Sequence, residues 1–248
     1  MSDAPAPPAV PRSVIIGVGL ASLLVPLNST MISVALRSVA QEFDIEKAHA
    51  RQLVLVYLIA MLIGQPIAGR ISDRIGAKRL TFIALVGFAA CSLGAVFARS
   101  FDVLVAVRAS QAAFAACMSP AVSSMLRSVV PPGERGRAFG IQGSVVGIGV
   151  AGGPLLGGQL VDSFNWKAIF LANLPIVAVC IVALARLPVP SLAAEARHDG
   201  AVEHVSLWNG TFTAAFATQA LSNFGQYMLL LMCPAMLEAQ NWDSRSIG

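Results

Sequence analysis

Very few side chains in the apolar parts of this sequence can do chemistry. Arg108 is the only charged residue inside a long apolar run, and Gln111 follows it one helical turn later. Asn28 and Thr30 lie in an earlier apolar run. An arginine at the centre of a bilayer costs at least about 2.5 to 3.5 kcal/mol on insertion scales, so it should face a wet cavity or a partner. We therefore predict that these four residues face a substrate cavity. A structural role for Arg108, anchoring its helix to that of Asn28, is the alternative.

A second group of polar side chains lies towards the carboxyl end. Gln219, Asn223 and Gln226 recur at i, i+4 and i+7, which places them on one face of a helix, with Tyr227 adjacent. Polar residues at that spacing in a lipid-embedded helix should turn inward. This face either contributes to the same substrate cavity or makes hydrogen bonds to neighbouring helices.

The other reactive residue types do not form a recognisable catalytic or metal site. The sequence has no Ser-His-Asp arrangement, paired carboxylates, phosphate-binding loop or zinc-ligand spacing. Its four cysteines lie singly in apolar runs, and its three histidines fall between runs. We therefore expect no enzyme activity, no cofactor and no bound metal.

Composition predicts the elements that must position these side chains. The chain has 248 residues, of which 56% are hydrophobic and 12% charged, against about 25% charged in a typical soluble domain. A helix needs about 20 mostly apolar residues to cross the hydrocarbon core of a bilayer. Seven runs meet this length, which predicts an all-α polytopic membrane protein whose solvent is the lipid bilayer. The runs cover residues 14–36, 52–71, 80–98, 103–126, 138–161, 168–187 and 207–237.

The distribution of basic residues predicts the orientation of these spans. With a cytoplasmic amino terminus, ten of the seventeen lysines and arginines fall on the cytoplasmic side. Because cytoplasmic loops carry an excess of such residues, we expect a multi-pass protein of the cell membrane in that orientation. Basic residues dispersed between apolar runs also argue against a nucleic-acid partner. The ten are Arg12, Arg70, Arg74, Lys78, Arg79, Arg127, Arg135, Arg137, Arg186 and Arg197.

Polar segments divide the predicted spans into regions. Residues 1–12 form a Pro/Ala-rich tail that should be disordered, and 188–206 form the longest polar interval between spans. We predict a six-helix domain over 13–187, a cytoplasmic linker over 188–206, and over 207–248 a helix that begins a second, incomplete half. This division predicts a truncated chain, whose missing half would be a further carboxyl-terminal part or a second chain.

The basic segment between the second and third spans carries a specific motif. It reads Gly69-Arg-Ile-Ser-Asp73-Arg74-Ile-Gly76-Ala-Lys78-Arg79. This resembles the signature loop G-x-x-x-D-R-x-G-R-K/R of the major facilitator superfamily, with Ala77 in place of an arginine. Gly76 permits a positive φ in a tight turn, and Asp73 can accept hydrogen bonds from the backbone or from an arginine. The resemblance implies that the loop latches two halves of a transporter in one state; the alternative is a basic loop that only fixes topology.

A ten-residue stretch in the fifth span resembles the antiporter motif G-x-x-x-G-P-x-x-G-G of the multidrug efflux branch of that superfamily. It reads Gly149-Val-Ala-Gly-Gly153-Pro154-Leu-Leu-Gly157-Gly158. The spacing i, i+4, i+8 puts three glycines on one helix face, where a neighbouring helix can approach closely, and the proline favours a bend. The resemblance implies that this face meets a helix of the second half. Helix packing without a special function is the other interpretation.

Two further stretches resemble the same branch. Residues 165–175 are similar to the W-R-W-I-F-L-I-N-x-P motif that enters the sixth span, where we expect Trp166 at the outer interface and an interhelical hydrogen bond from Asn173.

Residues 27–36 resemble the first-span motif L-D-x-T-I-V-N-V-A-L-P, except that Asn28 stands where the exporters usually have aspartate. Asparagine cannot take up and release a proton at physiological pH. Proton coupling through this position is therefore excluded, and an antiporter would need its proton carrier in the missing half.

The four stretches together identify the chain as a member of the major facilitator superfamily that resembles its drug:proton antiporters. The implied fold is a helical bundle with the amino-terminal six-helix half and one further transmembrane helix, in which an inverted repeat relates spans 1–3 to spans 4–6. The implied function is export of small amphipathic molecules or drugs by alternating access. The alternative is a truncated membrane remnant or subunit that transports nothing without a partner chain.

Overall fold

Long apolar helices make up most of the described structure. The computed structural model describes residues 12–186 and scattered helical positions between 210 and 228, with side chains described from residue 17 onwards. The first four helices are α1 (Arg12–Glu42), the short α2 (Lys47–Ala50), α3 (Gln52–Ile75) and α4 (Ala77–Val96). They are followed by α5 (Phe101–Val129), a 3₁₀ turn (Pro132–Glu134), α6 (Arg135–Ser163) and α7 (Lys167–Ala185).

Six helices of the described part are long and apolar enough to cross a membrane, namely α1, α3, α4, α5, α6 and α7. They match the first six predicted spans and confirm the all-α membrane fold. Several helix ends extend beyond the predicted apolar runs, because helical hydrogen bonding continues into the polar interface. The seventh predicted span lies for the most part outside the described residues, and the predicted linker lies wholly outside them.

The connections between the spanning helices are short. Gly76 alone separates α3 from α4, with a φ of +87°, and its N–H donates to Ser72 O at 2.9 Å. This geometry confirms the predicted tight turn, since a side chain is strained at such a φ. At the next connection, Ser100 caps α5 by accepting a hydrogen bond from Val103 N at 3.4 Å. Asp102 in the first turn of α5 further favours the helix start, because its negative charge interacts favourably with the positive end of the helix dipole.

The packing of the six spans follows a twofold pattern. α1 packs against α6 and α7, while α5 packs against α3 and α4, and α4 also contacts α7. Exchanging the first three spans with the last three maps α1 onto α5, α3 onto α6 and α4 onto α7. The same exchange maps α1–α6 onto α3–α5 and α1–α7 onto α4–α5, and it leaves α4–α7 unchanged, as the predicted inverted repeat requires.

Backbone contacts divide the chain into two units, Met1–Ala193 and Ala194–Gly248. The first unit contains all of α1 to α7. Its apolar core is built largely from α1, α4, α5 and α7, with small residues such as Ala112 and Ala115 of α5 fully buried between larger ones. Small side chains let lipid-embedded helices approach closely, which positions their few polar groups within hydrogen-bonding distance.

Candidate functional site

Arg108 of α5 lies fully buried inside the six-helix unit. Its Nη1 donates hydrogen bonds of 2.6 Å to Asn28 Oδ1 and of 2.6 Å to Gln111 Oε1. The central carbon of the guanidinium lies 4.4 Å from the centre of the Tyr57 ring and 5.7 Å from that of Phe170. A desolvated cation–π contact stabilises a buried charge by about 2 kcal/mol or more. These four partners are neutral and come from α1, α3, α5 and α7, so the arginine links four helices.

The hydrogen bonds continue from Arg108 to a fifth helix, α4. Gln111 Nε2 donates to Ser92 Oγ at 2.7 Å, and Asn173 Nδ2 donates to the same oxygen at 3.4 Å. The second contact confirms the predicted interhelical hydrogen bond of Asn173, which runs from α7 to α4. We call Asn28, Ser92, Arg108, Gln111 and Asn173 the Arg108 network; all five are fully buried.

The network is built to hold helices in place. Buried polar groups in a membrane protein are stable only when they find partners, and these partners lie on α1, α4, α5 and α7. Its members supply one permanent cation, three amides and a hydroxyl, and none of these groups takes up a proton at physiological pH. The network therefore fixes the relative positions of the four helices without providing a proton carrier.

The structure encloses the predicted cavity residues of the first and fourth spans. Asn28, Arg108 and Gln111 are 0% exposed and Thr30 is 2% exposed. A ligand cannot reach any of them in this conformation unless helices move apart. The geometry therefore matches the anchoring alternative, while a contact with substrate stays a prediction.

Thr30 belongs to a separate contact between α1 and α6. Its Oγ1 donates to Pro26 O at 2.9 Å within α1, and it lies 3.4 Å from Gly149 O of α6. A Cβ added at Gly153 would overlap Thr30 Oγ1, and one added at Gly157 would lie 2.9 Å from Met31 Cα. Gly149, Gly153 and Gly157 of the α6 motif are thus buried against α1, with no open space for a larger side chain.

The glycine face packs within the six-helix unit. Gly149, Gly153 and Gly157 lie against α1, while contact of this motif with a helix of the second half, which the resemblance implies, stays a prediction. Glycine spacing shows which face is flat and does not show which helix covers it. Pro154 and Gly158, the other two motif residues, are partly exposed beside this face.

The loop motif lies at the α3–α4 turn. Asp73, Arg74 and Arg79 are exposed there, whereas Gly69 and Lys78 are partly buried. Gly76 makes the turn possible, and the exposed charges are held at one end of the bundle. Their predicted role as a latch between two halves remains a prediction.

A second polar cluster, at the opposite end of the bundle, was not predicted. Trp166 Nε1 donates to Glu42 Oε2, and Lys167 Nζ lies 2.8 Å from Glu42 Oε1. The Trp166 ring also packs against Phe43, with ring centres 5.9 Å apart. These contacts join the end of α1 to the start of α7. Trp166 lies at a span end, as expected, but it is fully buried.

Sequence reasoning missed three residues around Arg108. Ser92 is one of two hydroxyl residues in the mostly apolar α4, and Tyr57 and Phe170 read as ordinary apolar or interfacial residues. One available signal was the hydroxyl itself, since an isolated serine in a spanning helix often packs at a helix contact. The aromatic partners gave no such signal, because only the fold brings their ring faces to the guanidinium.

A groove of about 450 Å³ lies between α1, α6 and α7 and is lined by residues that include Leu27, Met31, Gln159 and Phe164. None of the predicted cavity residues lines it. The predicted face of Gln219, Asn223 and Gln226 lies outside the described residues, so its role also stays a prediction.

The fold and the buried network define an all-α membrane protein with several spanning helices. The family model of the Major Facilitator Superfamily matches residues 18–248, so the chain belongs to this superfamily, whose members are membrane transporters and not enzymes.

Comparisons with individual proteins agree with this assignment. The chain is 37% identical to the uncharacterized MFS-type transporter YvkA of Bacillus subtilis over 68% of its own length and 38% of that protein. It is 31% identical to the tetracenomycin C resistance and export protein of Streptomyces glaucescens over 70% of its own length and 32% of that protein. It thus spans about a third of the length of these relatives.

The fold is also similar to that in a crystal structure of a D-xylose-proton symporter. The TM-score is 0.71 at 16% identity, with 95% of this chain and 64% of that chain covered. At this identity the likeness concerns the fold alone.

Proposed function

We propose that the six-helix unit is one half of an alternating-access transporter that exports small amphipathic molecules. The substrate class and the outward direction of transport in this proposal rest on one observation. The chain is similar to a relative named as a tetracenomycin C resistance and export protein. The glycine and proline motif of α6, which resembles that of drug exporters, supports the same branch.

The internal contacts of the unit support a rocking mechanism. In alternating access, one half of the transporter moves against the other largely as a rigid body. The Arg108 network holds α1, α4, α5 and α7 together, and the glycine contact holds α6 on α1. A unit joined in this way transmits movement at one end of its helices to the other end.

In this proposal the substrate cavity forms between the unit and a second six-helix half. That half belongs to the same polypeptide or to a second chain, and the polar face of Gln219, Asn223 and Gln226 contributes to the cavity. The α3–α4 loop with Asp73 and Arg74 latches the two halves in one state. Since Asn28 cannot carry a proton, we place any proton carrier in the second half.

The proposal is tested by expressing the chain in bacteria that lack their own drug efflux systems. We expect lower accumulation of a fluorescent amphipathic dye and higher resistance to apolar antibiotics than in cells with an empty vector. The Gly153→Ala variant, compared at equal membrane abundance, should lose the effect, because α6 can no longer pack on α1. Equal dye accumulation with and without the chain, in membranes where the chain assembles with a second copy, would contradict the proposal.

A non-transporting subunit is the alternative outcome of this test. Blue-native electrophoresis of the purified chain reports whether it assembles with a second copy. A monomer that changes no dye accumulation would favour that alternative.

A further inference from the structure

The groove between α1, α6 and α7 lies at the end of the unit where Trp166 and Lys167 contact Glu42. Its volume of about 450 Å³ falls within the range of about 300–1,000 Å³ that is typical of sites for drug-sized ligands. The groove exists because α6 and α7 both pack along α1 and make few contacts with each other. α1 therefore forms its floor, and α6 and α7 form its walls.

The groove extends from this end of the helices deep into the apolar part of the unit. Gln159 and Ser163 belong to the last two turns of α6, and Phe164 follows as its C-cap. At the other limit, Leu27 lies about 22 Å from Glu42 along α1, at a rise of about 1.5 Å per residue. Since the hydrocarbon core is about 30 Å thick, the groove reaches the middle of the bilayer.

The lining of the groove is apolar at depth and polar near the span end. Leu27, Met31 and Ile176 line the deep part. The amide of Gln159 and the hydroxyl of Ser163 are exposed, and neither side chain makes a hydrogen bond within the described residues. None of the nine described lining residues carries a charge. This lining matches an uncharged ligand with an apolar body and one hydrogen-bonding edge.

We propose that the groove binds an uncharged amphipathic molecule with an aromatic body, whose polar edge lies at Gln159 and Ser163. Met31 and Phe164 favour an aromatic body over an alkyl chain, because thioethers and rings make favourable contacts with aromatic rings. The Gln159 amide and the Ser163 hydroxyl can each donate and accept a hydrogen bond. The ligand enters through the side of the groove that faces away from α1.

This site is separate from the cavity that the proposed function places between two halves. The identification of its ligand with an exported molecule rests on that function. The binding itself involves only residues of the six-helix unit, so it can be measured without transport.

The probe for the test is dansylamide, an uncharged naphthalene sulfonamide that accepts excitation energy from tryptophan. The full chain with Trp208→Phe and Trp242→Phe keeps Trp166 as its single tryptophan, close to Phe164 in the chain, and is reconstituted in phosphatidylcholine nanodiscs. We expect the dansyl emission excited through Trp166 to saturate with dansylamide concentration. Emission that only rises in proportion to concentration reports partition into lipid and would overturn the proposal.

Two matched variants of α7 locate the binding. Ala172→Phe places a ring in the groove, since Ala172 lines it, and should remove the saturable emission. Ala178→Phe adds the same ring at an exposed position that is not part of the lining, and should retain it. Equal behaviour of the two variants, with binding kept or lost in both, refutes the assignment to the groove.

Gln159→Leu tests the polar edge at an exposed position, where the change does not disturb the core. It keeps a side chain of similar size and removes its hydrogen bonds, so the affinity should fall by about two- to tenfold, the usual net effect of one hydrogen bond. An unchanged affinity would show that the polar edge does not lie at Gln159.

Dodecanol, an uncharged alkyl alcohol, tests the other occupant, a lipid-like chain. At the concentration of the probe it should leave most of the dansylamide bound, and displacement of most of the probe would show that the groove holds alkyl chains instead. Dye counterflow separates this proposal from the proposed function. Saturable binding without counterflow would count against the proposed function alone, and counterflow without saturable binding against the groove alone.

Discussion

Arg108 shows how a full positive charge can be kept inside a membrane domain. Its guanidinium is held by two amide oxygens and lies against two aromatic ring faces, all supplied by different parts of the fold. Amides and ring faces stabilise the cation without neutralising it. The arginine thereby becomes a fixed junction between helices.

Replacing Arg108 should therefore weaken the fold strongly. Arg108→Ala leaves Asn28 Oδ1 and Gln111 Oε1 buried without their donor, and we expect a loss of about 3 kcal/mol or more in stability. Arg99→Ala, at an exposed loop position, should cost less than about 0.5 kcal/mol. Thermal unfolding of both variants in detergent measures the difference. Equal shifts in the melting temperature would show that Arg108 is not a buried junction.

Asn28 offers a second test of the network. Its Nδ2 makes no hydrogen bond within the described residues, so Asn28→Asp removes no hydrogen-bond donor that is in use. The new carboxylate would face Arg108 Nη1, and an ionised carboxylate is stabilised there. We expect the melting temperature of this variant to fall more steeply than that of the unmodified protein as the pH is lowered below about 5, because protonation of the carboxylate removes the ion pair.

Asn165→Asp is the control for this pH dependence, because Asn165 lies exposed in the α6–α7 connection. It introduces the same carboxyl group away from Arg108. If both variants respond to pH alike, Asn28 does not face the guanidinium.

The sequence allowed part of this junction to be predicted. Arg108, Asn28 and Gln111 stand out because charged and amide side chains are expensive in lipid, and their mutual contact follows from that cost. Tyr57 could not be selected, since a single aromatic residue is unremarkable in an apolar run. The hydroxyl of Ser92 indicates a helix contact but does not identify its partner. The burial of Thr30 against α6 likewise depends on which helices become neighbours.

At the scale of the helices, the contact of α6 with α1 leaves the least space for an added side chain. Gly153 faces Thr30, and an added Cβ would overlap Thr30 Oγ1 and lie 3.2 Å from Leu27 O. Because Leu27 O belongs to the backbone, a rotation of Thr30 alone does not make room. The two helices would have to separate.

Gly153→Ala should consequently destabilise the unit by about 1–3 kcal/mol, the usual cost of overpacking. Gly152→Ala is a matched control one residue away, where an added Cβ meets nothing within 4 Å. That change should be neutral or slightly stabilising, because alanine favours the helix. A comparison of the two melting temperatures tests the contact, and a larger loss for Gly152→Ala would contradict it.

The α3–α4 turn gives an independent prediction at the same scale. Gly76→Ala places a side chain at a φ of +87° and should cost about 1–2 kcal/mol. Gly69→Ala, inside α3 where an added Cβ has open space, should not destabilise the protein. If thermal unfolding gave the same result for both, the turn would not depend on the glycine conformation.

Helix positions were more predictable than helix partners. Hydropathy and length located six spans because each crosses lipid by itself, with its own backbone hydrogen bonds. The glycine face of α6 was also visible from the spacing of Gly149, Gly153 and Gly157. Its partner α1 was not, because the spacing of residues on one helix carries no information about the neighbouring helix.

At the scale of the whole molecule, the packing supports a rigid half with an internal twofold pattern. Pairs formed by α1 have counterparts formed by α5, and α4 contacts α7 across the two repeats. The Arg108 network also joins the two repeats, since Asn28 and Ser92 come from one repeat and Gln111 and Asn173 from the other. Such a unit suits the rocking movement that we propose for export.

The most direct test is counterflow of a fluorescent amphipathic dye in proteoliposomes that contain the purified chain. The account predicts dye exchange that saturates with concentration, that persists in Gly152→Ala and that is lost in Gly153→Ala. A folded preparation of the unmodified chain that assembles with a second copy and exchanges no dye would contradict the account.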